Sequence, residues 1–155
     1  MCSCHTGAVE LRTERLVLRP FRVDDVGAFE RFARSDAYLR YLGDGHPDPA
    51  VFVANNLDLD GAWVVERDSR VVGSIFLGDE LAFLLDPAVH GQGIATEAAR
   101  AVIDDGFGRR GYSEIVARAA ADNLASVRAL ARLGFVTSGD DRFRLPRSDW
   151  PDGAR

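Results

Sequence analysis

The sequence predicts a mixed α/β (α+β) domain with a mostly antiparallel central sheet flanked by about four helices. Three closely spaced strand patterns indicate the antiparallel part, and several segments with apolar residues at helical spacing indicate the helices. The 155 residues are enough for one domain with a single hydrophobic core. Apolar residues make up 46% of the chain and charged residues 28%, as in a globular protein.

The N-terminal region predicts one strand and two helices. The stretch RTERLVLRPF, from Arg12 to Phe21, alternates β-forming residues with arginines and ends beside a proline, which is typical of a strand. Asp24 and Asp25 are good helix-start residues, and apolar positions recur at helical spacing after them. The stretch PAVFVANNLDL begins with a proline and predicts a second, shorter helix.

Three strand patterns follow in close succession: AWVVER, RVVGSIFLG and ELAFLLD. Short polar turns, DS and GD, separate them. Turns of this length join antiparallel neighbours, whereas parallel neighbours need a long crossover. The sequence therefore predicts an antiparallel meander in the middle of the chain.

The stretch PAVHGQGIATEAARAVIDDGF places two glycines directly ahead of a predicted helix over Ile94 to Phe107. One face of this helix is apolar and is expected to be buried: Ile94, Ala98, Val102 and Ile103. The first amides of a helix have no intrahelical partner and carry the positive end of the helix dipole. A glycine turn that opens a helix is therefore a candidate phosphate site.

The C-terminal third predicts a strand, a helix and a final pair of strands. SEIVARAAA is the strand, DNLASVRALARLGF is a helix that stops at Gly134, and FVTSG with DRFRLP forms the pair. The expected organisation is one domain over residues 11–146, with a disordered tail at 1–10 and a C-terminal tail at 147–155.

Charge and composition exclude several classes of function. A formal net charge of −5 argues against nucleic-acid binding. No apolar stretch has the length of a membrane span, and the start of the sequence lacks the pattern of a secretory signal, so we expect a cytoplasmic protein with no membrane partner. Cys2, Cys4 and His5 have no further ligands at metal-site spacing, so no metal is expected.

The glycine turn alone leaves two other interpretations open. A dinucleotide-binding turn would have a third glycine where Thr96 stands, and its ribose-binding acid would come earlier than Asp122. A turn needed only for the path of the backbone is the other alternative.

A second block distinguishes these interpretations. DNLASVRALARLGF follows the glycine-led helix and one strand, TERLVLRPF precedes both, and HGQGIA occupies the turn. Together they resemble the GNAT superfamily of N-acetyltransferases, and within it the ribosomal-protein (Rim-type) N-terminal acetyltransferase branch. The resemblance covers roughly Leu11 to Leu145 and implies a GNAT-like three-layer fold with acetyl-CoA as cosubstrate.

The resemblance also implies where acetyl-CoA would bind. In this family two central strands part, and the pantetheine arm pairs with backbone groups that correspond here to those around Leu85. The family's Asn that contacts this arm corresponds to Asn123, although Asn is also a good helix cap. The pyrophosphate would rest on the turn and its amides: Gly91, Gln92, Gly93, Ala95 and Thr96. His90 stands where Arg or Gln is usual, so we expect a ring N–H donor and a phosphate affinity that depends on pH.

Two residues are the catalytic candidates that the resemblance implies. Many family members use a Tyr as the acid at the position of Leu130, whereas the Rim-type branch has Ser at the position of Ser126. Glu80 corresponds to the acidic residue that opens the fourth strand in this branch, where burial beside apolar side chains would suit a base acting through water. A solvated turn carboxylate is the alternative for Glu80, and His46 is an alternative base.

The resemblance implies transfer of an acetyl group to a primary amine by direct attack in a ternary complex. The acceptor would be a protein or peptide N-terminus or a small amine, approaching between Tyr38 to Pro49 and the C-terminal hairpin. The alternative is a catalytically weak acyl-CoA-binding sensor or regulatory module. A monomer and a homodimer both remain open.

Overall fold

The computed structural model describes residues 8–32, 48–119 and 123–151. The strands in these ranges are β1 Leu11–Arg12, β2 Leu16–Arg19, β3 Ala62–Arg67, β4 Arg70–Leu77, β5 Leu81–Leu85, β6 Glu114–Arg118, β7 Val136–Thr137 and β8 Arg142–Pro146. The α-helices are α1 Val26–Phe32, α2 Pro49–Asn56, α3 Ile94–Phe107 and α4 Leu124–Leu133. Short 3-10 turns occupy Val23–Asp25, Pro87–Val89 and Arg147–Asp149.

The strands follow the order β1-β2-β3-β4-β5-β6-β8-β7 in one sheet. β1 with β2, β2 with β3, β6 with β8 and β7 with β8 are antiparallel, whereas β5 and β6 are parallel. The α3 crossover joins the parallel pair, as parallel neighbours require. The predicted fold class, a mixed α/β fold with a mostly antiparallel sheet, is confirmed.

The described chain divides into two compact units. The first consists of the residues up to Ile75 together with Phe83–His90, and the second consists of Phe76–Ala82 and the residues from Gly91 on. β4 and β5 therefore each contribute residues to both units. None of the helices in the described ranges combines the length and the apolar character that crossing a bilayer requires.

Two predicted boundaries are wrong for identifiable reasons. The single strand expected over Arg12 to Phe21 is a hairpin, because Thr13 closes a turn: its backbone N–H donates to the Leu16 carbonyl and its side-chain oxygen accepts from the Leu16 N–H, each at 3.0 Å. The tail expected from residue 147 is packed instead. Trp150 is 8% exposed and donates its Nε1–H to Asp104 Oδ1 at 2.7 Å.

The N-terminal boundary is also earlier than expected. Ala8 is 1% exposed, and the Val9 carbonyl accepts from Trp63 Nε1 at 2.8 Å. Since the indole N–H of a buried Trp needs a partner, this bond attaches residues 8–10 to β3. The packed structure therefore begins within the segment that the sequence assigned to a tail.

Helix α3 buries the apolar face that its sequence predicted. Ile94, Ala98, Val102 and Ile103 are each at most 1% exposed. Near its C-terminal end, Gly106 lies so close to its neighbours that an added Cβ would be 2.6 Å from Leu77 Cδ2. The α3 helix can therefore pack this closely on Leu77 only with a glycine at this position.

β4 and β5 lie close together at Gly73. A Cβ on Gly73 would be 2.3 Å from the Leu84 carbonyl oxygen and 2.9 Å from the Leu85 Cα. Real Cβ atoms do not come this close to backbone atoms, so β5 can take its observed path only beside a glycine.

We expect Gly73→Ala to lower the free energy of unfolding by about 1 to 3 kcal/mol, the usual cost of overpacking a tight interior site. Gly27→Ala is the matched control, because a Cβ at that position in α1 meets no atom within 4 Å. The control should be neutral or stabilising by up to about 1 kcal/mol. Urea unfolding of both variants checks the prediction, which fails if the two midpoints coincide.

Candidate functional site

The glycine turn ahead of α3 presents amides without intrahelical partners. Gly91 has φ +80° and Gly93 has φ +76°, both in the left-handed region that favours glycine. Gly93 is the N-cap of α3 and has no side chain that could cap the helix. The first intrahelical bond runs from the Glu97 N–H to the Gly93 carbonyl at 3.0 Å, so the amides of Ile94, Ala95 and Thr96 have no partner within the helix.

Asp86 shapes the chain that leads from β5 toward this turn. Its N–H donates to the Val72 carbonyl of β4 at 2.8 Å, and its Oδ1 accepts from the Ala88 N–H at 3.0 Å. The carboxylate therefore caps the 3-10 turn Pro87–Val89, where proline cannot donate and suits the first position. The strand end and the turn that follows are fixed by the same residue.

Leu85 directs its backbone polar groups away from β4. Because Asp86 donates to Val72 of β4, and backbone groups of successive strand residues face opposite edges, the Leu85 N–H and carbonyl face the other edge. At that edge the Nε2 atom of His90 lies 3.2 Å from the Leu85 carbonyl oxygen. The structure thus brings together two of the predicted cofactor residues, Leu85 and His90.

The parallel ladder between β5 and β6 is short. Among the described residues the two strands pair at one position, Leu81 opposite Ala117. From there β5 runs on to Leu85, whereas β6 ends at Arg118.

Glu80 lies beside this ladder in an environment that differs from the expected one. Its side chain is 39% exposed, and its Oε2 accepts from Arg118 Nε at 2.5 Å. The expectation of a carboxylate buried among apolar side chains is therefore wrong. No local pattern indicates this pair, because its partners are far apart in the chain and meet only when β5 and β6 align.

Asn123 and Ser126 are also brought together. Asn123 is the N-cap of α4, and its Oδ1 accepts from the Ser126 N–H at 3.3 Å. The capping role left open for Asn123 is therefore present. Ser126 is half-buried, and its contact with Asn123 uses its backbone. Leu130, at the position where many family members have Tyr, is 1% exposed.

The remaining expectations concern His46, the acceptor region and metal ligands. His46 and most of the predicted acceptor region lie outside the described residues; of that region Asp48 and Pro49 are described, with Asp48 capping α2. In the ranges that the structure covers, no three His, Cys, Asp or Glu side chains are grouped so that they could hold a metal ion.

Comparison with known proteins identifies the family. Residues 15–136 match the family model described as an acetyltransferase (GNAT) domain. The uncharacterized N-acetyltransferase YnaD of Bacillus subtilis is 25% identical, over 93% of each chain.

Solved structures show the same fold. A GNAT-family acetyltransferase from Bacillus anthracis superposes with a TM-score of 0.83 at 20% identity, covering 90% of this chain and 99% of its own. Mycobacterium smegmatis RimJ in complex with CoA-disulfide has a TM-score of 0.74 at 20% identity, covering 93% of this chain and 88% of its own. The resemblance drawn from the sequence is confirmed: the chain belongs to the GNAT family of acetyltransferases.

Proposed function

We propose that this protein transfers an acetyl group from acetyl-CoA to a primary amine, by direct attack in a ternary complex. The acceptor is a protein or peptide N-terminus or a small amine. The observation that carries the proposal is the uncapped start of α3, where a left-handed Gly93 precedes amides that have no intrahelical partner. This donor set fits a diphosphate, because several N–H groups and the helix dipole act on the same anion.

The phosphate contacts are assigned to the turn itself. Its residues are Gly91, Gln92, Gly93, Ala95 and Thr96. Gly91 is surrounded by open space, since a Cβ there would meet no atom within 4 Å. Open space around a left-handed glycine lets a ligand approach the backbone closely.

The pantetheine arm is assigned to the backbone of Leu85 and the side chain of Asn123. The Leu85 N–H and carbonyl face the edge away from β4, as pairing with an extended amide chain requires. Asn123 accepts from the Ser126 N–H through Oδ1, and its amide group is assigned to the arm. The solved structure of RimJ with CoA-disulfide supports a CoA-binding role for this fold.

Two proton movements accompany the transfer. Acetyl-CoA, when bound, supplies the thioester whose carbonyl carbon the amine attacks. As the C–N bond forms and the C–S bond of the thioester breaks, the amine loses a proton and the departing thiolate gains one. Glu80 is proposed to take the proton of the amine through water, and Ser126 to orient the water that protonates the departing sulfur, so that the products are the amide and the CoA thiol. His46 is the alternative base.

A catalytically weak acyl-CoA-binding sensor is the second candidate function. Two observations favour it. The Glu80 carboxylate forms an ion pair with Arg118, and the apolar Leu130 stands where many family members have Tyr as the general acid. Tight CoA binding without acetyl transfer to any of a panel of peptides and polyamines would select it.

We expect Gly93→Val to weaken CoA binding by more than about tenfold, because a β-branched residue resists the left-handed backbone that directs the amides. Gly134→Val is the matched control: Gly134 has φ +98° at the end of α4, so the same strain is imposed without a phosphate role. Calorimetry with CoA and thermal melting measure both variants. Equal loss of CoA affinity in the two would overturn the assignment of the phosphate to this turn.

We expect Glu80→Gln to lower kcat about 100-fold and to alter the pH–rate profile, since a general base contributes about 10²- to 10⁴-fold. Arg118→Gln removes the same ion pair but leaves the carboxylate, so its rate should fall less. The pH–rate profiles of both variants provide the measurement. If the two profiles are the same, Glu80 acts only through its ion pair and is no base.

We expect Ser126→Ala to slow turnover while the affinity for CoA stays unchanged. The Asn123 cap bonds to the backbone N–H of Ser126, so it survives this substitution. Asn123→Ala is the comparison variant, which should lose about 1 kcal/mol of stability together with CoA affinity. Steady-state kinetics and calorimetry separate the two effects, and an unchanged kcat in Ser126→Ala removes Ser126 from the chemistry.

A further inference from the structure

The imidazole of His90 is hydrogen-bonded to a backbone carbonyl of β5. Its Nε2 lies 3.2 Å from the Leu85 carbonyl oxygen. Because a carbonyl oxygen can only accept, the hydrogen must be on Nε2. The sequence predicts this ring as a phosphate ligand, so its contact with the strand is a different role from the expected one.

The backbone around His90 holds the ring in this place. The His90 N–H donates to the Pro87 carbonyl at 3.2 Å and closes the turn Pro87–Val89. Asp86, at the start of that turn, is tied to β4 through its own N–H. A short, capped turn with a proline therefore returns the chain so that position 90 lies beside the end of the strand that it has just left.

The carbonyl that His90 engages is the one that the proposed function assigns to the pantetheine arm. Leu85 faces away from β4, so its N–H and carbonyl form the pairing edge at the end of β5. An amide N–H of an extended ligand chain would have to donate to the same carbonyl oxygen from the same side. The bulk of the ring and its hydrogen bond both oppose that approach.

We propose that His90 competes with the pantetheine arm for the Leu85 carbonyl, so that the ring must leave β5 before the arm can pair with it. This inference rests on the proposed function and reverses the expected effect of one residue, His90, on the affinity for CoA. His90 lowers the affinity for CoA, whereas a phosphate ligand would raise it. The residue that differs from the family's usual Arg or Gln is thus a determinant of how tightly this chain holds CoA.

The competition predicts an effect specific to the pantetheine arm. His90→Ala should bind CoA about three- to tenfold more tightly, the range that one hydrogen bond of ordinary strength contributes. The same variant should bind adenosine 3′-phosphate 5′-diphosphate, which has the diphosphate but lacks the arm, with unchanged affinity. Calorimetry with both ligands gives the two ratios, and His5→Ala, which also removes an imidazole, should change neither.

A second measurement follows the ring itself. In nitrogen-15 spectra of the wild-type protein, the His90 Nε2–H resonance should move when CoA is added and stay in place when the arm-less nucleotide is added. His90 is exposed, so His90→Ala should lose at most the stability of one hydrogen bond and melt about 2 to 4 °C below the wild-type temperature.

The outcomes separate this inference from the proposed function. If both ligands bind His90→Ala more weakly than wild type, the ring contacts phosphate and the inference is overturned. If CoA binds wild type and His90→Ala equally well, the inference is overturned while the proposed function stands. If wild type binds neither ligand, the proposed function fails and the inference fails with it.

Discussion

The close contact between β4 and β5 is the constraint on which the proposed cofactor edge depends. Gly73 leaves so little space that a single added carbon would meet the backbone of Leu84 and Leu85. Beside this contact the Asp86 N–H bonds to the Val72 carbonyl of β4, and the alternation of backbone groups along a strand places those of Leu85 at the opposite edge. Because Gly73 has no side chain, β5 can lie beside β4 in the position that directs the Leu85 carbonyl to the other edge.

The glycines of β4, α3 and the turn before α3 serve different physical purposes. Gly73 and Gly106 are required for lack of space, because neighbouring atoms occupy the position of a Cβ. Gly91, in contrast, has open space at the position of a Cβ. Gly91 and Gly93 are favoured because their backbone is in the left-handed region. A glycine needed for its left-handed backbone can be recognised in a sequence when it stands in a turn before a helix. A glycine needed for lack of space inside a regular strand cannot be recognised in this way.

Local patterns predicted the elements well, and contacts between distant residues account for the errors. Helix α3 begins and ends where its periodicity and its glycine turn indicated, at Ile94 and Phe107. The first strand was misjudged because a turn at Thr13, closed by a backbone and a side-chain hydrogen bond to Leu16, folds it back into a hairpin. The surroundings of Glu80 could not be predicted, since they depend on how β5 aligns with a strand that comes more than thirty residues later.

The exposure of the Glu80–Arg118 pair has a consequence for how this enzyme is to be studied. With 39% and 57% of the two side chains exposed, dissolved ions reach the pair and screen it. At about 1 M salt the screening length is roughly 3 Å, comparable to the separation of the charges themselves. Raising the ionic strength therefore weakens the attraction between Arg118 and the Glu80 carboxylate and increases the fraction of molecules in which this carboxylate is unpaired from Arg118.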